Sequence, residues 1–250
     1  MSRSDWDNPV VAQQLAHRSI RSYSTEPIEP VLLETLIRCG QAAASSSFIQ
    51  AYSVVRVTRA DVRKTIAAVA GGQIWIEKAA EFMVYCADLR RIDGACRKRG
   101  LGGLEGWSEH SLAAVVDVSL MAQNVLLAAE SVGLGGVFIG GIRNDPQAIA
   151  DQLDLPERVI PVFGMCLGWP AADPQVKPRM PVGLVLHQDT YGDPGDVQVE
   201  AYDTAMSEYY GARGQGAKIG DWSGATAKAV QGKKREHMLE FMRRRGFFVR

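Results

Sequence analysis

No two of the four cysteines, Cys39, Cys86, Cys96 and Cys166, form a C-x-x-C pair, so neither a thioredoxin-type redox pair nor a zinc ribbon is encoded. Three sit among apolar residues, where a reduced thiol packs as a small hydrophobe, while Cys96 lies among charges and is expected at the surface. Net charge is missing too. Lysine plus arginine and aspartate plus glutamate number 28 each, so no global field draws in nucleic acid or an anionic membrane. The first residues, Met1 to Asn8, are polar and acidic and lack the basic start and apolar middle of a targeting peptide; with reduced cysteines, this makes the cytoplasm the expected compartment.

Metal and nucleophile signatures are also lacking. None of His17, His110, His187 and His237 has a second ligand at zinc spacing, and no Walker loop or G-x-S-x-G turn occurs. Gly133-Leu134-Gly135-Gly136-Val137-Phe138 starts like a dinucleotide fingerprint, but Phe138 occupies the third glycine position. The apolar run Leu112 to Val132 approaches the ~20 residues that cross a bilayer. Asp117, Gln123, Asn124 and Glu130 interrupt it at a cost lipid would not repay, so a buried helix is expected, with Ser108 as N-cap and Gly133 as stop. Apolar nearly all round, it needs cover from its own domain or from a partner subunit.

What is present can fill a core, since 46% of 250 residues are hydrophobic. Helical spacing covers 30–44, 61–70, 201–210 and 235–245, whereas 52–58, 82–86, 159–169 and 182–187 read as strands. The segments 90–106 and 211–220 read as flexible surface, the second a candidate lid. Helices and strands do not alternate strictly, which predicts an α+β fold rather than a doubly wound parallel sheet.

The chemistry concentrates in a few short segments. His17-Arg18-Ser19-Ile20-Arg21-Ser22-Tyr23-Ser24 crowds cations and hydroxyls at a helix-to-loop transition, and Lys177-Pro178-Arg179 answers it downstream. Gly71-Gly72-Gln73 combines bare backbone with an amide that both donates and accepts, as an imide edge requires, and Ile139-Gly140-Gly141 offers unobstructed backbone N–H groups. Each glycine pair alone reads as a tight turn; together with two cationic clusters, flavin mononucleotide is the economical ligand. The competing reading is nucleic-acid binding through Lys233-Lys234-Arg235 and Arg243-Arg244-Arg245. No helix-turn-helix or RNA-binding signature accompanies these clusters, and they read as a solvated or partner-facing surface.

His17-Arg18-Ser19-Ile20-Arg21, Ser45-Ser46-Ser47-Phe48, Gly71-Gly72-Gln73, Gly133 to Gly141, and Leu167-Gly168-Trp169-Pro170 with Lys177-Pro178-Arg179 stand in an order that resembles the nitroreductase family, in particular its oxygen-insensitive NADPH nitroreductase and flavin reductase P branch. The resemblance spans about His17 to Arg250. It implies one domain over 1–250, with an excursion at about 90–107 and a C-terminal extension at about 190–250 that embraces a partner subunit. The implied fold is a mostly antiparallel sheet surrounded by helices, in a homodimer with FMN at the subunit interface.

The same resemblance implies that His17, Arg18, Ser19, Lys177 and Arg179 hold the ribityl phosphate and that Arg21 lies near the flavin N1 and O2. Gln73 would read the imide edge, and the backbone from Phe138 and Ile139 through Gly140 and Gly141 would lie beside N5. Ser45, Ser46, Ser47 and Phe48 would border the ring, although a lone aromatic after a helix is ordinarily core. Phe138 stands where relatives commonly carry tyrosine. Arg213, with Lys218 and Arg235, would meet the 2′-phosphate of NADPH, with NADH a possible second donor. The implied activity is a two-electron, ping-pong reduction of nitroaromatics, quinones or free flavin; a flavin reductase supplying another enzyme is the alternative.

Overall fold

A computed structural model describes residues 8–193, 195–212, 220–232 and 234–250. Two compact units divide the chain: residues 1–174 with 235–250, and residues 175–234.

In the first unit α1 (Pro9–Leu15) starts at Asn8, whose side chain accepts from the N–H groups of Val10 and Val11. There follow α2 (Pro30–Gln41), β1 (Tyr52–Arg56), α3 (Ala60–Val69), the single turn α4 (Trp75–Lys78), β2 (Glu81–Asp88), α5 (Arg90–Lys98), α6 (Ser108–Ser131), β3 (Gly135–Ile139), α7 (Pro146–Gln152) and β4 (Val159–Gly168). The four strands form one sheet in the order β1-β2-β4-β3, every pairing antiparallel. The α+β expectation holds.

Strand β2 is buried along its whole length, and its residues alternate between two cores, as a period of two requires. Phe82, Val84 and Cys86 join one core with Ile66, Ile149, Phe241 and Phe247, while Met83 and Tyr85 join the other with Leu36, Val118, Met121 and Val125. Helix α6 therefore lies on one face of the sheet with α2 against it. Its length and composition would suffice to cross a membrane, yet nine of its residues from Ser111 to Ala129 are buried here. Leu112, Val116 and Leu120, at helical spacing, stay exposed on its outer stripe.

Several expectations are corrected. Residues 182–187 form a 3-10 turn at Val182–Leu184, not a strand, because the Val185 and Leu186 N–H groups both donate back to the Val182 carbonyl. The supposed loop at 90–106 begins with α5, held by the buried carboxylate of Asp93, which accepts from Arg97 and from the Leu104 N–H. Cys96 is half-buried rather than exposed, and Cys39, expected among apolar residues, is only half-buried, unlike Cys86 and Cys166. Ser108 is the first residue of α6 rather than its cap, and its hydroxyl donates to the Arg250 carbonyl. Gly133 does end the helix, at φ 89°.

After the second unit, the chain returns to the first with α10 (Met238–Arg244), numbered after α8 (Asp196–Gly211) and α9 (Trp222–Gly232) of that second unit. Within the second unit Tyr202 donates to the Pro178 carbonyl and lies 6.0 Å from the Trp222 ring, while the Ser223 N–H donates to Asp203. Helix α9 was not anticipated from the sequence, and most of the candidate lid, including Arg213 and Lys218, lies outside the described residues.

Candidate functional site

The cationic run begins where α1 ends. From His17 onward the chain is extended and stitched to the sheet: the Ile20 N–H donates to the Gly136 carbonyl at 3.0 Å, and the Ser24 N–H to that of Trp169 at 2.9 Å. Ile20 is the buried peg of the run, and Tyr23 donates its hydroxyl to the Ile20 carbonyl, 2.7 Å away. Burial pushes the Tyr23 hydroxyl pKa up, so it remains a neutral donor. With alternate residues pinned, the polar side chains between them are displayed outward.

His17 Nδ1 lies 2.6 Å from Glu130 Oε1, and the Glu130 side chain is 8% exposed. That contact fixes the imidazole and leaves Nε2 available. Arg18 is bound to Asp173 through Nε at 2.6 Å and to the Ala16 carbonyl at 3.0 Å. Ser19 is half-buried, without a hydrogen-bond partner among the described residues. Arg21 is exposed and has no carboxylate partner among them; its guanidinium carbon lies 5.9 Å from the centre of the Trp75 ring.

Trp75 belongs to the turn that carries Gln73. Gly71 and Gly72 adopt φ 87° and 76° after α3, and a Cβ on either would meet nothing within 4 Å, so conformation and not space requires glycine there. The expected bare approach occurs instead at Gly141, where a Cβ would stand 2.6 Å from both the Ala70 carbonyl oxygen and Gln73 Nε2. The 70–73 turn and the 139–141 turn are thus in direct contact. Gln73 spends one N–H on the Ala70 carbonyl at 2.8 Å, and its other N–H and its carbonyl oxygen are uncommitted among the described residues. Ile139 is wholly buried, so only its backbone could serve a ligand, whereas Phe138 is partly exposed, with its ring edge-on to Phe163 at 5.2 Å.

Beside Gly140 and Gly141 stand two cations. Arg143 donates to the Val162 carbonyl at 2.6 Å, and Arg235 donates to the Asn144 side chain at 2.9 Å. Neither has a carboxylate partner among the described residues; burial first, and then Arg235, lower the Arg143 pKa. Arg143 was not singled out in the sequence, since an arginine two residues past a glycine pair carries no signal by itself.

The segment Ser45–Gln50 departs from ordinary backbone. Ser47, Phe48 and Gln50 take φ of 46°, 57° and 50°, and Phe48 is 77% exposed, which removes the core reading of its ring. Ser45 has no free hydroxyl to offer: it donates to Asp117 at 2.7 Å and accepts from the Gln50 N–H at 2.7 Å. In the second unit, Lys177 and Arg179 are exposed, with Lys177 Nζ 5.3 Å from the centre of the Tyr210 ring.

The first unit therefore carries a cationic strip linked through Arg21 and Trp75 to the turn of Gln73, whose amide has an open donor and acceptor among the described residues and packs against the glycine turn at Gly141. Those donors fit a phosphorylated, imide-edged ring such as FMN. No cluster of three or more metal-ligating side chains occurs among the described residues.

The chain matches the nitroreductase family over residues 15–169 and that family's C-terminal domain over 177–250. The oxygen-insensitive NADPH nitroreductase of Salmonella typhimurium is 39% identical over 243 residues, covering 97% of this chain and 100% of that protein. The NADPH-flavin oxidoreductase of Vibrio harveyi is 40% identical over 246 residues, with 97% and 100% covered. Among solved structures, the Vibrio harveyi NADPH:FMN oxidoreductase complexed with NAD+ superposes at a TM-score of 0.88, with 39% identity over 97% of this chain and 100% of that one. The NfrA1 nitroreductase of Bacillus subtilis reaches 0.92, with 33% identity over 96% and 100%. On sequence and on fold alike, this chain belongs to the nitroreductase family.

Proposed function

We propose that the chain is an FMN-dependent NAD(P)H oxidoreductase, preferring NADPH, that passes two electrons at a time to nitroaromatics, quinones or free flavin. The observation that carries the reading is Arg21, which has no carboxylate partner among the described residues, beside the turn of Gln73, whose amide has an open donor and acceptor among them. The names of the Salmonella and Vibrio relatives support the donor and the flavin.

Bound FMN would supply the hydride-accepting and hydride-donating ring. His17, oriented by Glu130, would hold its phosphate together with Arg18, Ser19, Lys177 and Arg179; Asp173 would have to yield part of its hold on Arg18. Gln73 would pair with the imide edge, and the backbone of Phe138, Ile139, Gly140 and Gly141 would lie along the ring. Arg21 would set a fixed positive charge where the reduced ring carries its negative charge, favouring two-electron over one-electron transfer. Ser46, Ser47 and Phe48 would border the open face and orient the nicotinamide, the main catalytic demand where no general base is needed.

Arg235, next to Arg143 and without a carboxylate partner among the described residues, is one cation available to a nucleotide phosphate; Arg213 and Lys218 remain proposed for the 2′-phosphate by resemblance. The exposed stripe Leu112, Val116 and Leu120 supports a homodimer, and the cytoplasm is the proposed compartment. The test is anaerobic titration of the purified yellow protein with NADPH and then NADH, followed by reoxidation with each acceptor class. Bleaching at one NADPH per flavin and parallel double-reciprocal plots are expected. A colourless protein that takes up no FMN, or a flavin that NADPH does not bleach, defeats the reading.

A further inference from the structure

Asp117 sits in the middle of α6, 0% exposed, between Ala114 of one core and Val118 and Met121 of the other. It has no cationic partner among the described residues. Its carboxylate is satisfied wholly by neutral donors: the Ser45 hydroxyl at 2.7 Å, the Ser46 N–H at 2.9 Å and the Ala51 N–H at 3.1 Å. All three come from the two ends of one short segment. Between them lie Ser47, Phe48 and Gln50, each in the left-handed region that L-residues disfavour, and each therefore in need of outside support.

From this geometry we infer that Asp117 is a positioning residue, a buried staple that closes the Ser45–Gln50 loop from below and fixes how Ser46, Ser47 and Phe48 meet the incoming substrate. The part concerning substrate rests on the proposed function; the stapling itself does not. A carboxylate suits the task better than its amide because every group facing it is a donor. In an Asn the Nδ2 would oppose an N–H of Ser46 or Ala51, and one end of the loop would come free. Ser45 relays the hold, since the same hydroxyl that donates to Asp117 accepts from Gln50. The loop's own bonds, Phe48 N–H to the Ser45 carbonyl and Ile49 N–H to that of Ser46, are local and tie neither end to the core, which leaves that task to Asp117.

The experiment compares wild type with Asp117→Asn, which keeps the side-chain volume, and with Ser45→Ala, which leaves α6 untouched. Chymotryptic cleavage after Phe48 is followed by mass spectrometry and steady-state kinetics is measured on the FMN-loaded enzymes. Both variants are expected to be nicked at Phe48 about tenfold faster, with other sites still protected. KM for NADPH and for a nitroaromatic acceptor is expected to rise about tenfold with kcat within about threefold, and the double variant should add little to Asp117→Asn. Cleavage after Phe48 at the wild-type rate in both variants overturns the proposal, as does acceleration spread evenly over all sites, which would mark general loosening. Unchanged KM values in variants nicked as expected overturn its substrate part. Because the nicking comparison needs no flavin, it decides the staple even if the wild-type protein takes up no FMN, an outcome that defeats the functional reading alone.

Discussion

Glu130 Oε1 and His17 Nδ1 meet at 2.6 Å across 113 residues of sequence, joining the far end of α6 to the first side chain of the cationic strip. Glu130→Gln should therefore loosen the imidazole without removing it. We expect FMN to bind about tenfold more weakly, with stability falling by about 1–2 kcal/mol, because a nearly buried charged hydrogen bond becomes a neutral one. Titration of apoprotein with FMN measures the first and urea unfolding the second; wild-type values in both would show that the contact is incidental.

Arg18 and Arg21 differ in what surrounds them, and their variants should differ too. Arg18 is held between Asp173 and the Ala16 carbonyl, whereas Arg21 faces solvent over Trp75. Arg18→Ala is expected to weaken FMN retention about tenfold. Arg21→Ala should keep the flavin but slow its reduction by NADPH about a hundredfold, the scale of one preorganised charge. Equal flavin loss in both would remove the proposed division of labour.

Gly141→Ala adds a single methyl group where only 2.6 Å separates its position from the Ala70 carbonyl oxygen and Gln73 Nε2. The 70–73 turn must then move, at a cost of about 1–3 kcal/mol. A lowered melting temperature with a parallel loss of FMN affinity is the expected pair of results. If stability falls but affinity is unchanged, Gln73 does not read the ring.

How far the sequence speaks is clearest in α6. Composition and length predict the helix, and its stop at Gly133 is legible because glycine there takes φ 89°. Asp117 and Glu130 are visible only as residues unfit for lipid; that each anchors a segment 66 to 113 residues away is a property of packing, which no local pattern encodes. Strand β3 escaped because Gly135 and Gly136 stand in a segment legible only as an incomplete dinucleotide fingerprint. They are glycine for closeness: a Cβ on Gly136 would stand 2.8 Å from the Cys166 carbonyl oxygen of the neighbouring strand. The run 182–187 alternates like a strand but finds no partner strand, and a solitary strand is not stable. The motif residues Arg21 and Gln73 were found because their chemistry is local, while Arg143 needed Arg235, 92 positions on, to become notable.

Thiols and phenols whose pKa rises on folding make the protein sensitive to alkali. Burial pushes Cys86 and Cys166 up to about 12 from 9.0, and raises Tyr23 and Tyr85 in the same direction. An acid with a higher pKa folded than unfolded holds its proton more tightly in the native state. Its contribution is thus complete below pH 9.0 and is lost as the pH climbs towards 12. The urea midpoint should fall between about pH 8 and about pH 10.5, less steeply in a Cys86→Ala, Cys166→Ala double variant. At about pH 8 a thiol reagent should reach no more than Cys39 and Cys96 in the native protein. A flat midpoint over that range would show that these groups ionise without unfolding.

Helix α6 also acts as a ruler. Asp117 and Glu130 stand thirteen residues apart on one uninterrupted helix, about 20 Å at 1.5 Å per residue. The serine loop at one end and the histidine at the other are thereby indexed to a single rigid rod, whatever happens in the chain between them. One residue inserted between the two carboxylates would turn one relative to the other by about 100° and uncouple a segment at one end. A change of loop length leaves this spacing intact, whereas an insertion within the helix does not.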